Sequence, residues 1–209
     1  MKIIKKILCL ILIAAMAMSL AGCKPPVQDY NVSGYIRSVL DLCYLGETED
    51  YIAFTGAPLE EAEDVRHATV ANLAVRFCQK YKMNADDEQM AKIEELMAKA
   101  LACSQYTVFK KVETDYGYDV KVEYKVQITL QEIEYKIKNI VDTAYNDGTR
   151  TNLGAEHIDE IIEVCQHALE YPVYGETKEI TFDILVDEDY YLSLNVDLYD
   201  IIDEEILVF

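Results

Sequence analysis

The chain of 209 residues has no tryptophan, only three histidines, and half as many basic as acidic side chains, 19 against 38. The shortage of positive charge, a formal −19, argues against nucleic acid or anionic lipid head groups as partners. No two cysteines stand as C-x-x-C, so zinc-ribbon and thioredoxin-like chemistry has no support. H-E-x-x-H, a phosphate-binding glycine loop and a nucleophile elbow are all missing. The longest apolar run, residues 7–21, falls short of the ~20 residues that a membrane-spanning helix needs.

That run is informative nonetheless. Lys2, Lys5 and Lys6 precede it, Ser19 alone interrupts it, and small Ala21 and Gly22 close it, which is the build of a secretory signal. Leu20-Ala21-Gly22-Cys23, followed by Lys24 and the helix-breaking Pro25-Pro26, resembles the lipobox of bacterial lipoproteins. The resemblance implies that the Cys23 thiol carries a diacylglyceryl group and that the Gly22–Cys23 bond is cut. The competing reading is an ordinary secretory signal with an incidental cysteine. Two long acyl chains, at ~0.8 kcal/mol per buried methylene, contribute on the order of 20 kcal/mol of membrane affinity. The expected organisation is a lipoprotein signal peptide over 1–22, a lipidated tether over 23–29 and a single domain over 30–209. The expected location is the outer face of the cytoplasmic membrane, with Cys23 as the lipidation site.

Four further cysteines, Cys43, Cys78, Cys103 and Cys165, sit among apolar neighbours at helical spacing, as buried thiols do. Export also permits disulfides, and four cysteines allow three pairings.

Periodicity divides the remainder. Val32, Tyr35, Ile36, Val39, Leu40 and Cys43 predict a helix stopping at Gly46. Ala62, Val65, Thr69, Val70, Leu73, Phe77 and Tyr81 predict a second, opened by Pro58 with Glu60, Glu61 and Glu63 behind it. A third is predicted from an Asn84 cap through Met90, Ile93, Met97, Ala100 and Leu101. Strict alternation then predicts a strand over 120–130, with a partner over 106–113 across a turn at 115–118. Two more helices follow, one through Ile133, Ile137, Ile140, Val141 and Ala144, the other through Ile158, Ile161, Ile162, Cys165 and Leu169. A second hairpin is predicted with arms Ile180–Val186 and 190–196 about the turn at 187–189, and a short helix in 198–209. The fold class is α+β: a helical N-terminal half and two antiparallel β-hairpins forming a sheet, with helices between them.

This layout resembles the DUF5105 type of small Gram-positive lipoprotein. The matching pieces are Leu45-Gly46-Glu47, Thr55-Gly56-Ala57-Pro58-Leu59-Glu60-Glu61-Ala62, the strand over 120–130 running into a helix, and Glu176-Thr177-Lys178-Glu179-Ile180-Thr181-Phe182. That family's last strand usually holds a tryptophan after a glycine-containing turn, where this chain has Tyr190 and Tyr191. The resemblance implies an exported lipoprotein and no particular activity.

Sites of chemistry are sparse. His157, Glu160, Glu163 and His167 share a helix side, but a metal needs ligands converging from several elements. His67 reads as a solvated histidine. The loop at 142–152 places Ala144 where an EF-hand needs a ligand. Asp200, Asp203, Glu204 and Glu205 show no apolar pocket that would raise a carboxylate pKa. Asn31-Val32-Ser33 matches a glycosylation sequon without a role in a bacterial lipoprotein. Tyr124, Tyr171, Tyr174, Tyr190 and Tyr191 could line a peptide or glycan groove, or serve only as strand residues. No catalytic, cofactor or metal residues are assigned. The expectation is a non-enzymatic binding or interaction module for an envelope protein, peptide or glycan. The alternative is an envelope-polymer hydrolase whose carboxylates meet only in the fold.

Overall fold

The structure, a computed structural model, describes residues 31–115, 117–146, 153–186, 192–194 and 207–209. Cys23 and the signal segment, the turn at 187–189, Tyr190 and Tyr191, and the acidic cluster from Asp200 to Glu205 lie outside the described residues.

Helix α1 (Val32–Leu45) starts where the Asn31 side chain accepts the Gly34 N–H at 3.1 Å. It stops at Gly46, whose φ of 78° suits a residue without a Cβ. Helix α2 (Glu49–Thr55) has no counterpart in the periodicity: it is seven residues long and buries only Tyr51, too little for a stripe. Helix α3 (Leu59–Tyr81) follows Pro58 as expected and ends at Lys82.

Helix α4 (Asp87–Ala102) is capped by Asp86 rather than by Asn84. The Asp86 carboxylate accepts the Gln89 N–H at 2.9 Å, and Gln89 Oε1 accepts the Asp86 N–H at 3.1 Å. This reciprocal pair satisfies two orphan donors that Asn84, two residues earlier, cannot reach.

The expected partner strand over 106–113 is two pieces, β1 (Gln105–Val108) and β2 (Val112–Thr114), both paired antiparallel with β3 (Gly117–Gln127). β3 ends three residues before the predicted Leu130. Ile128 N–H donates to Val173 O at 3.0 Å, and the Thr129 hydroxyl accepts the Val173 N–H at 2.9 Å. Those bonds turn the chain into α5 (Thr129–Glu132), so the last alternating residues belong to a helix. Then come α6 (Glu134–Asn146), α7 (Ala155–Ala168), β4 (Tyr174–Val186) and β5 (Leu192–Leu194).

The sheet runs β1-β3-β4-β5, with β2 also on β3. Register pairs Val120 with Phe182, Val122 with Ile180 and Gly117 with Leu185. At Gly117 a Cβ would stand 1.9 Å from the Ile184 carbonyl oxygen, so only glycine allows β4 this close. Tyr118, Val120, Val122, Tyr124, Phe182 and Ile184 are buried, and α1 packs on β1 and β3. α3 and α4 pack on α1, and α7 packs on α4 and α6. Asp119, Lys121, Glu123 and Lys125 alternate with the buried row on the opposite face, half-exposed or exposed.

The predicted tail helix is not what the described tail shows. Leu207 is buried and bridges Gln127 in parallel, Val208 N–H donates to Gln127 O at 3.0 Å, and Phe209 meets the Phe77 ring at 5.5 Å. The remainder of 198–209 lies outside the described residues.

Phe77 is fully buried between Tyr81, at 5.0 Å, and Phe209. Phe77→Ala is expected to cost about 3–5 kcal/mol in urea unfolding; a loss under about 1 kcal/mol would contradict this packing. Asp86→Ala is expected to cost about 1 kcal/mol by the same measurement, and Asn84→Ala much less.

Candidate functional site

Where the second half of α1 passes the edge of β1, a cavity of about 530 Å³ opens. That size lies in the range of small-ligand and peptide sites, about 300–1,000 Å³. Arg37, Asp41 and Leu45, one turn apart on a single side of α1, form one wall. Gln105, Tyr106 and Thr107 of β1 form the floor, and Glu123 and Lys125 of β3 flank it.

Hydrogen bonds set this wall against the floor. Arg37 Nη2 donates to Val108 O at 3.1 Å, and the Tyr106 hydroxyl donates to Asp41 Oδ1. The Tyr106 ring lies 5.3 Å from that of Tyr44, tilted by 49°. Burial first, then the Asp41 carboxylate, pushes the Tyr106 hydroxyl well above the usual tyrosine range, so it stays a donor. Ser104 also lines the cavity, and its Oγ is buried with no hydrogen-bond partner among the described residues.

The other candidate residues do not converge. His157 Nδ1 lies 3.7 Å from Glu156 Oε1, while Glu160, Glu163 and His167 are exposed. His67 Nε2 is 3.8 Å from Glu94. Among the described residues no three or more histidine, cysteine or acidic side chains are grouped to hold a metal. The described tyrosines do not assemble a groove: Tyr124 is buried on the inner sheet face, Tyr171 projects into solvent, and the Tyr174 hydroxyl donates to Cys103 O at 2.7 Å. Asn31 serves as the α1 cap.

Among the described residues no disulfide forms. Cys43, Cys78 and Cys165 are buried, whereas Cys103 is half-buried with its Sγ 3.3 Å from Lys99 O. Burial pushes the Cys165 thiol up to about 12. No described helix is long and apolar enough to cross a membrane.

The cavity is hard to read from the sequence because its parts are scattered. Arg37 and Asp41 meet β1 residues more than sixty positions away. The available signal was the Arg37-Asp41-Leu45 row, at helical spacing beside the apolar stripe, and it is a weak one.

The architecture is thus a helical layer on one face of an antiparallel sheet, with a polar cavity at the sheet's edge. The crystal structure of YcdA, a candidate lipoprotein of Bacillus subtilis, is similar in fold, with a TM-score of 0.57 and 13% sequence identity. The likeness covers 84% of this chain and 56% of that one, so the chain spans little more than half of YcdA. No family model and no curated protein matches the sequence.

Two solution properties follow. Tyr35, Tyr81 and Tyr106 all have hydroxyls raised above the ordinary 10.0, chiefly by burial, so they remain protonated in the fold after ionising in the unfolded chain. Their contribution to stability is complete below about pH 10 and is lost as pH rises beyond it. Tyr106→Phe should make that alkaline loss shallower and cost about 1 kcal/mol at pH 7, read by urea unfolding across pH; an unchanged alkaline slope would contradict the Tyr106 environment. In a Cys23→Ser chain, thiol labelling of the native protein should reach Cys103 first and Cys165 only on unfolding. Rapid native labelling of Cys165 would contradict its burial.

Proposed function

We propose that this chain is a lipid-anchored protein of the cell envelope, a non-enzymatic binding module on the outer face of the cytoplasmic membrane. Residues 1–22 are the signal peptide, Cys23 bears the diacylglyceryl group, 23–29 is the tether and 30–209 is the exported domain. The lipobox-like Leu20-Ala21-Gly22-Cys23 supports the anchor. The fold held in common with YcdA is consistent with it.

The observation that carries the binding role is the cavity between α1 and β1, with Arg37 and Asp41 fixed against the strand by hydrogen bonds. A wall held this way needs little reordering when a ligand arrives, which favours binding. The ligand class is an envelope protein, peptide or glycan. A second reading, hydrolysis of an envelope polymer, rests on Asp41 and Glu123 lining the same cavity from distant segments. Asp41 already accepts the Tyr106 hydroxyl, which suits a structural carboxylate better than a general acid.

Two experiments address the proposal. Cys23→Ala should move the protein from the membrane fraction to the medium; an unchanged distribution would remove the anchor. A photo-crosslinking residue at Thr107 should capture a partner on intact cells without chain cleavage of purified cell wall. Release of wall fragments that disappears in Asp41→Asn or Glu123→Gln would establish the hydrolase instead.

A further inference from the structure

The charges around the cavity alternate in sign. Arg37 meets β1 at Val108 and Asp41 meets it at Tyr106, while Glu123 pairs in register with Thr107 and Lys125 with Gln105. Near Thr107 and Val108 a cation from α1 therefore stands against an anion from β3, and near Gln105 and Tyr106 the signs are reversed. An ion of either sign meets as much repulsion as attraction here. A molecule with one charge of each sign, set across β1, meets attraction at both ends.

The two levels differ in what remains open. Asp41 already accepts the Tyr106 hydroxyl, and Lys125 Nζ lies 5.9 Å from the centroid of the Tyr174 ring. Arg37 gives one donor to Val108 O and keeps the rest of its guanidinium fork, with no ion pair among the described residues. Acidic side chains outnumber basic ones 38 to 19, so this arginine lacks a carboxylate in spite of a surplus of them. Glu123 likewise has no hydrogen bond or ion pair among the described residues, whereas Glu179 directly across from it holds Lys121 at 3.1 Å.

We infer that the cavity holds a short peptide by its two free termini, the α-carboxylate on Arg37 and the α-ammonium on Glu123. This rests on the binding role proposed above and names its ligand. Phe109 N–H donates to Lys121 O, and bonded positions alternate along an antiparallel pair, so Val108 O lies at the open edge of β1. Arg37 comes to that edge from the helix side, and Glu123 stands half-exposed on the outer face. The ligand therefore lies over exposed Thr107, outside the contact between α1 and β1. Strand spacing plus the reach of Arg37 beyond Val108 sets the two charges on the order of 10 Å apart. An extended chain covers about 3.3–3.6 Å per residue, so two or three residues span the gap and a single amino acid does not. A planar guanidinium fork matches a carboxylate, which orients the peptide with its C-terminus at α1.

The test is calorimetric titration of the full chain, extracted from membranes in non-denaturing detergent, with trialanine as the probe. N-acetyl-trialanine and trialanine amide, each lacking one terminal charge, should bind about tenfold more weakly or worse. In Arg37→Gln, trialanine and its amide should bind equally while the acetylated form stays weaker. In Glu123→Gln the pattern should reverse, with acetylation making no difference and amidation still costly. Arg37→Lys keeps the charge and should keep the preference for a free carboxylate. Each comparison is made within one variant, so a general loss of affinity does not imitate the result. Equal binding of free and blocked peptides by the unaltered chain overturns the inference, as does a carboxylate preference that survives Arg37→Gln. Alanine binding as tightly as trialanine overturns it as well. If no peptide binds while the photo-crosslinker at Thr107 captures a partner on cells, the inference falls and the binding role stands; with no capture either, both fall.

Discussion

A sheet buried on one face only is the constraint from which the remaining architecture follows. Along β3 the row Val120, Val122, Tyr124 is buried, while Lys121, Glu123 and Lys125 remain in contact with water. Each fully buried apolar side chain of this kind contributes about 1.5–3 kcal/mol, and a one-residue slip of register would exchange the two rows. The helices must therefore lie on the inner side. Among the described helices, α1 makes the main contact with β1, at one edge of the sheet.

α1 links the core to the cavity. Its apolar row Ile36, Val39, Leu40 and Cys43 is buried, while Arg37, Asp41 and Leu45 face the opening. Asp41 joins both duties, since its carbonyl accepts the Glu47 N–H at 3.3 Å and its carboxylate accepts the Tyr106 hydroxyl. From behind, Arg66 Nη1 donates to Cys43 O, tying α3 to the last turn of α1. The end of α1 is consequently held from both sides, and with it the cavity wall.

Long elements were legible in the sequence because one period governs each. The stripes of α1, α3, α4 and α7 and the alternation of β3 each repeat through several residues that the structure buries. Where one local bond decides, pattern was insufficient. Asp86 outcompetes Asn84 through Gln89, and Ile128 and Thr129 leave the sheet because Val173 binds them. α2, with Tyr51 as its one buried residue, had no stripe to read. The cavity was harder still: it pairs helix and strand residues far apart in the chain, and tyrosine count pointed elsewhere. Tyr124 and Tyr174 were spent on the core and on the Cys103 carbonyl.

An acidic domain of this kind gains a fixed address only if it is held at a surface that its own charge would avoid. A covalent anchor would do so without any basic patch, and Cys23 is the site proposed for it. The most direct measurement is mass spectrometry of the N-terminal peptide from the native protein. The account predicts a peptide starting at Cys23 whose sulfur carries a diacylglyceryl thioether. A bare thiol at Cys23, or a peptide starting at Met1, would contradict it.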